Sequence, residues 1–220
     1  MKFDFNHPAF LQMASNVRGE MPVTRFVFVE GKNQVKLSSS GKVIIESVQD
    51  GEIVRETYGA LDDTIVTINA DGGSEVVIYG AVTRLSNNVN YPQNLFQSID
   101  VSENIALTAL YCDNCEGLTS LDVSKNIALT ALGCTSCMGL TSIDLSKNIA
   151  LTYLGLNRCK GLTSIIGIAV NSDVSTSIAT AITDATSVDG TVTLRQGDEF
   201  NQTIIDAAMD KGWDVQYYAN

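Results

Sequence analysis

Leucine, or phenylalanine in its place, recurs every eleven residues at Phe96, Leu107, Leu118, Leu129, Leu140, Leu151 and Leu162. Polar and apolar residues keep the same order between these positions. The segments starting at Ile99, Leu121 and Ile143 are near-copies of one 22-residue unit: IDVSENIALTALYCDNCEGLTS, LDVSKNIALTALGCTSCMGLTS and IDLSKNIALTYLGLNRCKGLTS. A fixed period in this range predicts a β-rich solenoid, in which each unit buries its apolar edge only by stacking on its neighbours. Each unit splits into two half-units reading L-x-x-L-x-L-x-x-(N or C), and the alternation within each predicts a short strand. Around Leu110, Leu110 and Cys112 point inward while Ala109, Tyr111 and Asp113 point outward. Two strands per unit make one coil, and coils stack about 4.8 Å apart through parallel ladders. Some six apolar side chains per coil, at roughly 1.5–3 kcal/mol each before entropy is subtracted, leave a thin surplus for one coil and enough for a stack.

The pattern changes on both sides of the repeat. Residues 1–21 read as a lead-in with a short helix near Pro8 to Asn16. Residues 22–81 hold β-branched and aromatic runs (VTRFVFVE, NQVKL, KVIIESV, EIVRETY, TIVTINA, EVVIYG) separated by turn signals, which predicts a small antiparallel, sandwich-like β module covering the first open coil. The last of these turns, Asp71-Gly72-Gly73, is expected to close a hairpin. Val82, Leu85, Asn87 and Asn90 carry the repeat spacing upstream, with polar Asn87 a weak member, so the solenoid is expected over 82–168. Residues 169–220 read helix-strand-helix-strand, an α/β cap over the last coil. Val174, Ile178, Ala181, Ile182 and Ala185 share one helical face. A second helix, N-capped by Asp198, places Phe200, Ile204, Ala208 and Met209 on one side and ends at a C′ glycine, Gly212. The closing strand alternates with Trp213, Val215 and Tyr217 on one side.

Asn104, Asn126 and Asn148 fall where the chain bends inward and backbone groups lose their sheet partners. A side-chain amide supplies donors and an acceptor, so stacked asparagines are expected to satisfy those groups and each other. In the alternate half-unit the same position is Cys115, Cys137 and Cys159, a small buried side chain with a weak S–H donor. With these residues in place, the pattern resembles the leucine-rich repeat, matched at Leu107-Leu110-Cys112-Cys115 and Leu129-Leu132-Cys134-Cys137. The paired form LTSLDVSKNIALTALGC looks like the repeats of cell-surface proteins from Bacteroidetes-type bacteria, and IIDAAMDKGWDV is similar to their closing segment. The resemblance covers about 82–220, and the β module is compatible with the family's N-terminal portion. It implies a right-handed leucine-rich-repeat coil and a secreted or surface-attached, adhesin-like bacterial protein that binds other molecules.

Charge and chemistry narrow the remaining classes. A net charge of −11 with no basic patch argues against nucleic acid, whose phosphates must be neutralised. Apolar runs fall short of the roughly 20 residues of a membrane helix. The start, MKFDFNHPAFLQMASN, lacks the apolar h-region of a signal peptide. Cys112-x-x-Cys115 and Cys134-x-x-Cys137 imitate zinc-ligand spacing, but the 22-residue period generates it, and Leu156 replaces the first cysteine of the third pair. Buried thiols are the expectation, ahead of zinc or a disulfide between rungs. Asp100, Asp122 and Asp144 form an outward ladder that reads as solvated charge, with calcium the alternative. No nucleophile elbow, H-E-x-x-H or phosphate-binding glycine loop occurs, and His7 is the single histidine, so neither an enzyme nor a cofactor is expected.

The outward residues of the two strands differ in how far the copies agree. One strand presents Ser-x-Asp-x-Ser outward in all three coils; the other presents Ala109-Tyr111-Asp113, Ala131-Gly133-Thr135 and Tyr153-Gly155-Asn157. A uniform face serves the stack, whereas a varied one is free to fit a partner, and it matches the concave strand of the resembled family. Tyr111, Asp113, Thr135, Tyr153, Asn157 and Arg158 are therefore the candidate binding residues, with aromatic surface around a shallow gap over Gly133 and Gly155. The expected function is non-catalytic binding of protein or glycan at the cell surface. A structural spacer in a larger surface protein is the alternative, and a β-helix polysaccharide enzyme a more distant one.

Overall fold

The structure, a computed structural model, describes residues 21–28, 31–70, 73–87, 96–167, 172–187, 189–196 and 201–218. The expected helix near Pro8 to Asn16, Asn90, and the expected cap residues Asp198 and Phe200 lie outside them.

The first seven strands are β1 (Val23–Phe28), β2 (Gly31–Ser39), β3 (Val43–Gln49), β4 (Glu52–Tyr58), β5 (Thr64–Ala70), β6 (Glu75–Tyr79) and β7 (Val82–Ser86). Alternation sends Val35 and Leu37 of β2, Val43 and Ile45 of β3, Val66 and Ile68 of β5, and Val76 and Ile78 of β6 into one core. β3 and β4 form a hairpin whose central residues Asp50 (φ 51°) and Gly51 (φ 78°) are both left-handed, as the right-handed twist of flanking strands favours. The hairpin expected between β5 and β6 is absent. β5 pairs with β2, whereas β6 pairs with β1 and β3 in the other sheet. Two neighbouring runs with strong inward faces are buried from opposite layers, a pairing that turn residues alone do not reveal. Asp71 and Gly72 lie outside the described residues.

The repeat continues both of these sheets. On its varied side β9 (Ala109–Tyr111), β10 (Ala131–Gly133) and β12 (Tyr153–Gly155) stack in parallel, Leu110 beside Leu132 beside Leu154. β7 joins them, Leu85 against Leu110, and pairs antiparallel with β2, giving the order β12-β10-β9-β7-β2-β5. On the uniform side β8 (Phe96–Asp100) pairs antiparallel with β1, and Phe96 packs its ring on Phe26 at 5.1 Å between centroids. β11 (Ser142–Asp144) and β13 (Ser164–Gly167) pair in parallel further along. Two strands in every coil were expected, but residues 120–122 of the middle coil form none. On the varied side the ladder is continuous from β9 to β12; between β8 and β11 the coils are joined by isolated bonds such as that from Thr141 N–H to the Thr119 carbonyl at 3.3 Å.

Helix α1 (Ser172–Asp184), β14 (Thr191–Arg195), α2 (Asn201–Lys211) and β15 (Asp214–Tyr218) follow the expected alternation. β14 and β15 extend the sheet parallel to β13, giving the order β11-β13-β14-β15, while α1 packs on β12. Val174, Ile178, Ala181 and Ile182 of α1 are buried as its periodicity required. On α2, Ile204 and Ala208 are buried but Met209 is 70% exposed. Five residues beyond Ile204 the helix has turned well past that face, so Met209 does not belong to it. Gly212 adopts φ 79° and its N–H reaches the Met209 carbonyl, ending α2 as expected. Trp213 is buried, Val215 is partly so, and Tyr217 is exposed on the outermost strand.

Candidate functional site

The inner ladders set the spacing on which the outer face depends. Asn126 donates through Nδ2 to the carbonyls of Val101 (3.0 Å) and Asn104 (2.8 Å); Asn148 repeats this one coil on, to Val123 (3.0 Å) and Asn126 (3.0 Å). The cysteine ladder does half as much at the same offset. Cys137 Sγ meets the Cys112 carbonyl at 3.0 Å and Cys159 Sγ that of Cys134 at 2.9 Å. The asparagines satisfy backbone groups but not each other: the buried Oδ1 atoms of Asn126 and Asn148 have no hydrogen-bond partner among the described residues. All five cysteines are buried and none is in a disulfide, and burial pushes the Cys159 thiol up to about 11. Among the described residues no group of three or more His, Cys, Asp or Glu is placed to hold a metal.

At the ends of the stack, side chains replace the missing coil. The N–H groups of Cys112, Asn114, Cys134 and Ser136 each reach a carbonyl of the next coil. In the last coil Leu156 N–H donates to Ser177 Oγ (3.4 Å) and Arg158 N–H to Asp184 Oδ2 (2.7 Å), both on α1. At the first coil Asn104 donates to Thr24 Oγ1 and accepts from Val82 N–H at 3.0 Å. Asn87, the weak repeat member, is buried and donates to the Asp113 carbonyl at 2.6 Å.

The uniform face is built for turns. Asp100, Asp122 and Asp144 each accept through Oδ1 from the N–H two residues on, in Ser102, Ser124 and Ser146, at 2.8–2.9 Å. Such Asx turns open the same bend in each coil. Hydrogen bonds from the Ser102 and Ser124 side chains and N–H groups hold the Asp100 and Asp122 carboxyls below the usual range.

The varied face gathers aromatic and charged groups. Tyr111 on β9 and Tyr153 on β12 lie with ring centroids 6.1 Å apart, tilted by 42°. Gly133 on β10 lies between them, and a Cβ there would stand 2.6 Å from Tyr111 Cδ1. A Cβ on Gly155 would stand 3.3 Å from the Tyr153 hydroxyl and 3.0 Å from Thr135 Oγ1. The two glycines therefore make room for the rings, which occupy the shallow gap expected from the sequence. Asp113 Oδ1 accepts from Thr135 N–H at 2.8 Å, fixing the carboxylate beside Gly133. Burial, with the Asp113 charge and Tyr111 nearby, raises the Tyr153 hydroxyl above its ordinary value. Tyr111, Asp113, Thr135 and Tyr153 thus come together. Asn157, exposed, continues the Asp113–Thr135 row by one coil; Arg158, exposed with φ 62°, sits on the bend beyond it.

Three further residues complete this face. Arg84 on β7 lays its guanidinium over the Tyr111 ring, 4.9 Å from the centroid. Asp63, ahead of β5, meets Arg84 Nε at 3.6 Å and Lys36 Nζ on β2 at 2.5 Å, and the Lys36 bond with the nearby Arg84 charge holds its carboxyl low. Arg84 was open to detection, because it precedes Leu85 as Ala109, Ala131 and Tyr153 precede their leucines. Lys36 and Asp63 carry no such signal; only strand pairing brings them there.

No family model matches the chain, and no curated protein matches it. One solved structure that is similar is the functional domain of InlJ from Listeria monocytogenes, described as including a cysteine ladder. It is 24% identical over 55% of this chain and 26% of that one, with a TM-score of 0.23, a likeness on which no argument rests. The chain thus spans about a quarter of the length of that protein. Among the described residues no helix is long and apolar enough to cross a membrane.

Proposed function

We propose that the chain is a leucine-rich-repeat solenoid held between an N-terminal β module and a C-terminal α/β cap, and that it acts as a non-catalytic binding protein at the cell surface. The varied face is its recognition surface and takes protein or glycan. What carries the reading is the division of labour between the faces. The repeated aspartates opposite are spent on Asx turns. Tyr111, Tyr153 and Asp113 converge over two glycines and, apart from the Asp113–Thr135 bond, meet no such repeated need of the chain. Rigid aromatic side chains with adjacent charge are favoured anchors for partners. Arrays of glycans and of candidate protein ligands, probed with the chain and with Tyr111→Ala and Tyr153→Ala, test it. Loss of a signal in both variants supports the face. A signal that survives both, or none from any ligand, removes it and leaves the spacer reading.

A further inference from the structure

We propose that the Tyr153–Asp113 corner of the varied face receives an arginine side chain from a basic segment of a partner protein. The inference rests on the reading of that face as a binding surface and names the partner's chemistry. The chain itself shows the arrangement once: the Arg84 guanidinium covers the Tyr111 ring at 4.9 Å, and the Asp63 carboxylate stands 3.6 Å behind it. Cation, ring and carboxylate form one unit. On the other side of the tyrosine pair the ring and the carboxylate are present again without a cation. Tyr153 is 50% exposed, so its ring is open to solvent. Asp113 spends Oδ1 on Thr135 N–H, and its Oδ2 meets no donor among the described residues. Both carboxylate oxygens lie within 3.4 Å of the point above Gly133 where a Cβ would also touch Tyr111. Thr135, whose N–H holds Asp113 Oδ1, stands with the Tyr153 hydroxyl around the point above Gly155, and so links the carboxylate to that end of the Tyr153 ring. Arg158, on the bend one coil further, makes no side-chain contact with either group among the described residues.

A flat guanidinium suits this corner better than an ammonium, because it stacks on a ring while its edge donates to a carboxylate. The net charge of −11 favours a basic partner over distance and disfavours an acidic glycan, whose carboxylates would face Asp113.

The test uses the full chain, isotope-labelled for NMR, and three probes: an acetylated Gly-Arg-Gly amide, the same peptide with neutral citrulline for arginine, and trigalacturonate. The arginine peptide is expected to produce saturable shifts centred on Asp113, Thr135, Tyr153 and Gly155, weakening as salt is raised. Citrulline should bind about tenfold or more weakly, since it keeps the shape and loses the charge. Asp113→Asn keeps an acceptor for Thr135 N–H and should weaken the arginine peptide to a similar degree, while Asp122→Asn on the opposite face should not. Tyr153→Leu, which keeps apolar bulk, should also weaken it several-fold. Equal binding by citrulline, indifference to Asp113→Asn, or shifts centred elsewhere would overturn the inference. If trigalacturonate binds at Tyr153 and the arginine peptide does not, the recognition face stands and the arginine corner falls. If no ligand engages the face at all, both fall together.

Discussion

At the scale of single residues, the repeat imposes a backbone conformation that its own sequence answers unevenly. Asn114, Ser136 and Arg158 occupy one position in successive coils and all are left-handed, at φ 59°, 61° and 62°. Asparagine tolerates that region; arginine carries a steric cost of roughly 1–2 kcal/mol there. Arg158→Gly should therefore raise the urea midpoint by about 0.5–1 kcal/mol of stability, the strain relieved less the entropy glycine loses on folding. Its N–H bond to Asp184 uses only backbone and is kept. Asn114→Gly should gain markedly less, and equal gains would show that side-chain contacts rather than φ decide the matter. The Asx-turn aspartates make a pH prediction with a definite sign. The Asp122 carboxyl is held below its ordinary value by Ser124, so its stabilising effect is full above the unfolded carboxyl range and fades as pH falls through the lower folded value. The side chain is exposed, so solvent screening keeps the effect on the order of 0.5 kcal/mol. Urea unfolding of Asp122→Asn against the parent should show a gap at pH 6 that closes towards pH 2; a gap independent of pH would mean that the amide and the carboxylate serve the turn alike.

At the scale of the coil, two ladders do one job with different chemistry. Asn126 supplies two donors to two carbonyls, whereas Cys137 supplies one weak donor to one carbonyl. Asn126→Ala removes two buried hydrogen bonds to the carbonyls of Val101 and Asn104, which keep their bonds from the Asn104 and Leu107 N–H groups, so at about 0.5–1.5 kcal/mol per bond a loss of roughly 1–3 kcal/mol is expected. Cys137→Ala removes a soft side chain and one bond and should cost about 1–2 kcal/mol. Chemical denaturation of the pair checks the order, and a cysteine loss equal to the asparagine loss would mean that packing outweighs the donors. Ile105, Ile127 and Ile149 repeat just as faithfully yet are 65%, 62% and 64% exposed. Ile127→Ser should accordingly change stability by no more than about 0.5 kcal/mol. The contrast shows how far the sequence could be read. Its period marked which positions are equivalent, and alternation assigned Leu110 and Cys112 inward correctly; of the residues it read as outward, Tyr111 is half-buried and Ala109 buried. Conserved spacing did not distinguish the donors of the asparagine ladder from mutual amide pairs, because both use the same offset.

At the scale of the molecule, legibility followed sequence distance. Repeat strands pair with copies of themselves 22 residues away, so their register is written in the repeat. The crossing of β5 and β6 to opposite sheets, and the placing of Lys36 and Asp63 beside Arg84, depend on pairings between unlike segments that no local signal encodes. The same holds for Ser177 and Asp184, whose capping role appears only once α1 lies on the last coil. These junctions decide how the chain unfolds. A stack held only by neighbour contacts frays from its ends, but here one buried core runs from Phe26 through the coils to Trp213, and the repeat's sheets are shared with both flanks. The cap should therefore unfold with the coils. Trp213 is the single tryptophan, buried in the cap with its indole N–H on the Ser187 carbonyl at 2.9 Å, so its fluorescence reports that end alone. Its denaturation curve is expected to coincide with that from far-UV circular dichroism. Gly190→Ala adds a Cβ that would stand 2.2 Å from the Trp213 ring, and overpacking of this kind typically costs about 1–3 kcal/mol. Both curves should shift together in that variant. A Trp213 transition that moves ahead of the dichroism curve would instead mark the cap as a separately melting unit, loosely set on a stack that stands without it.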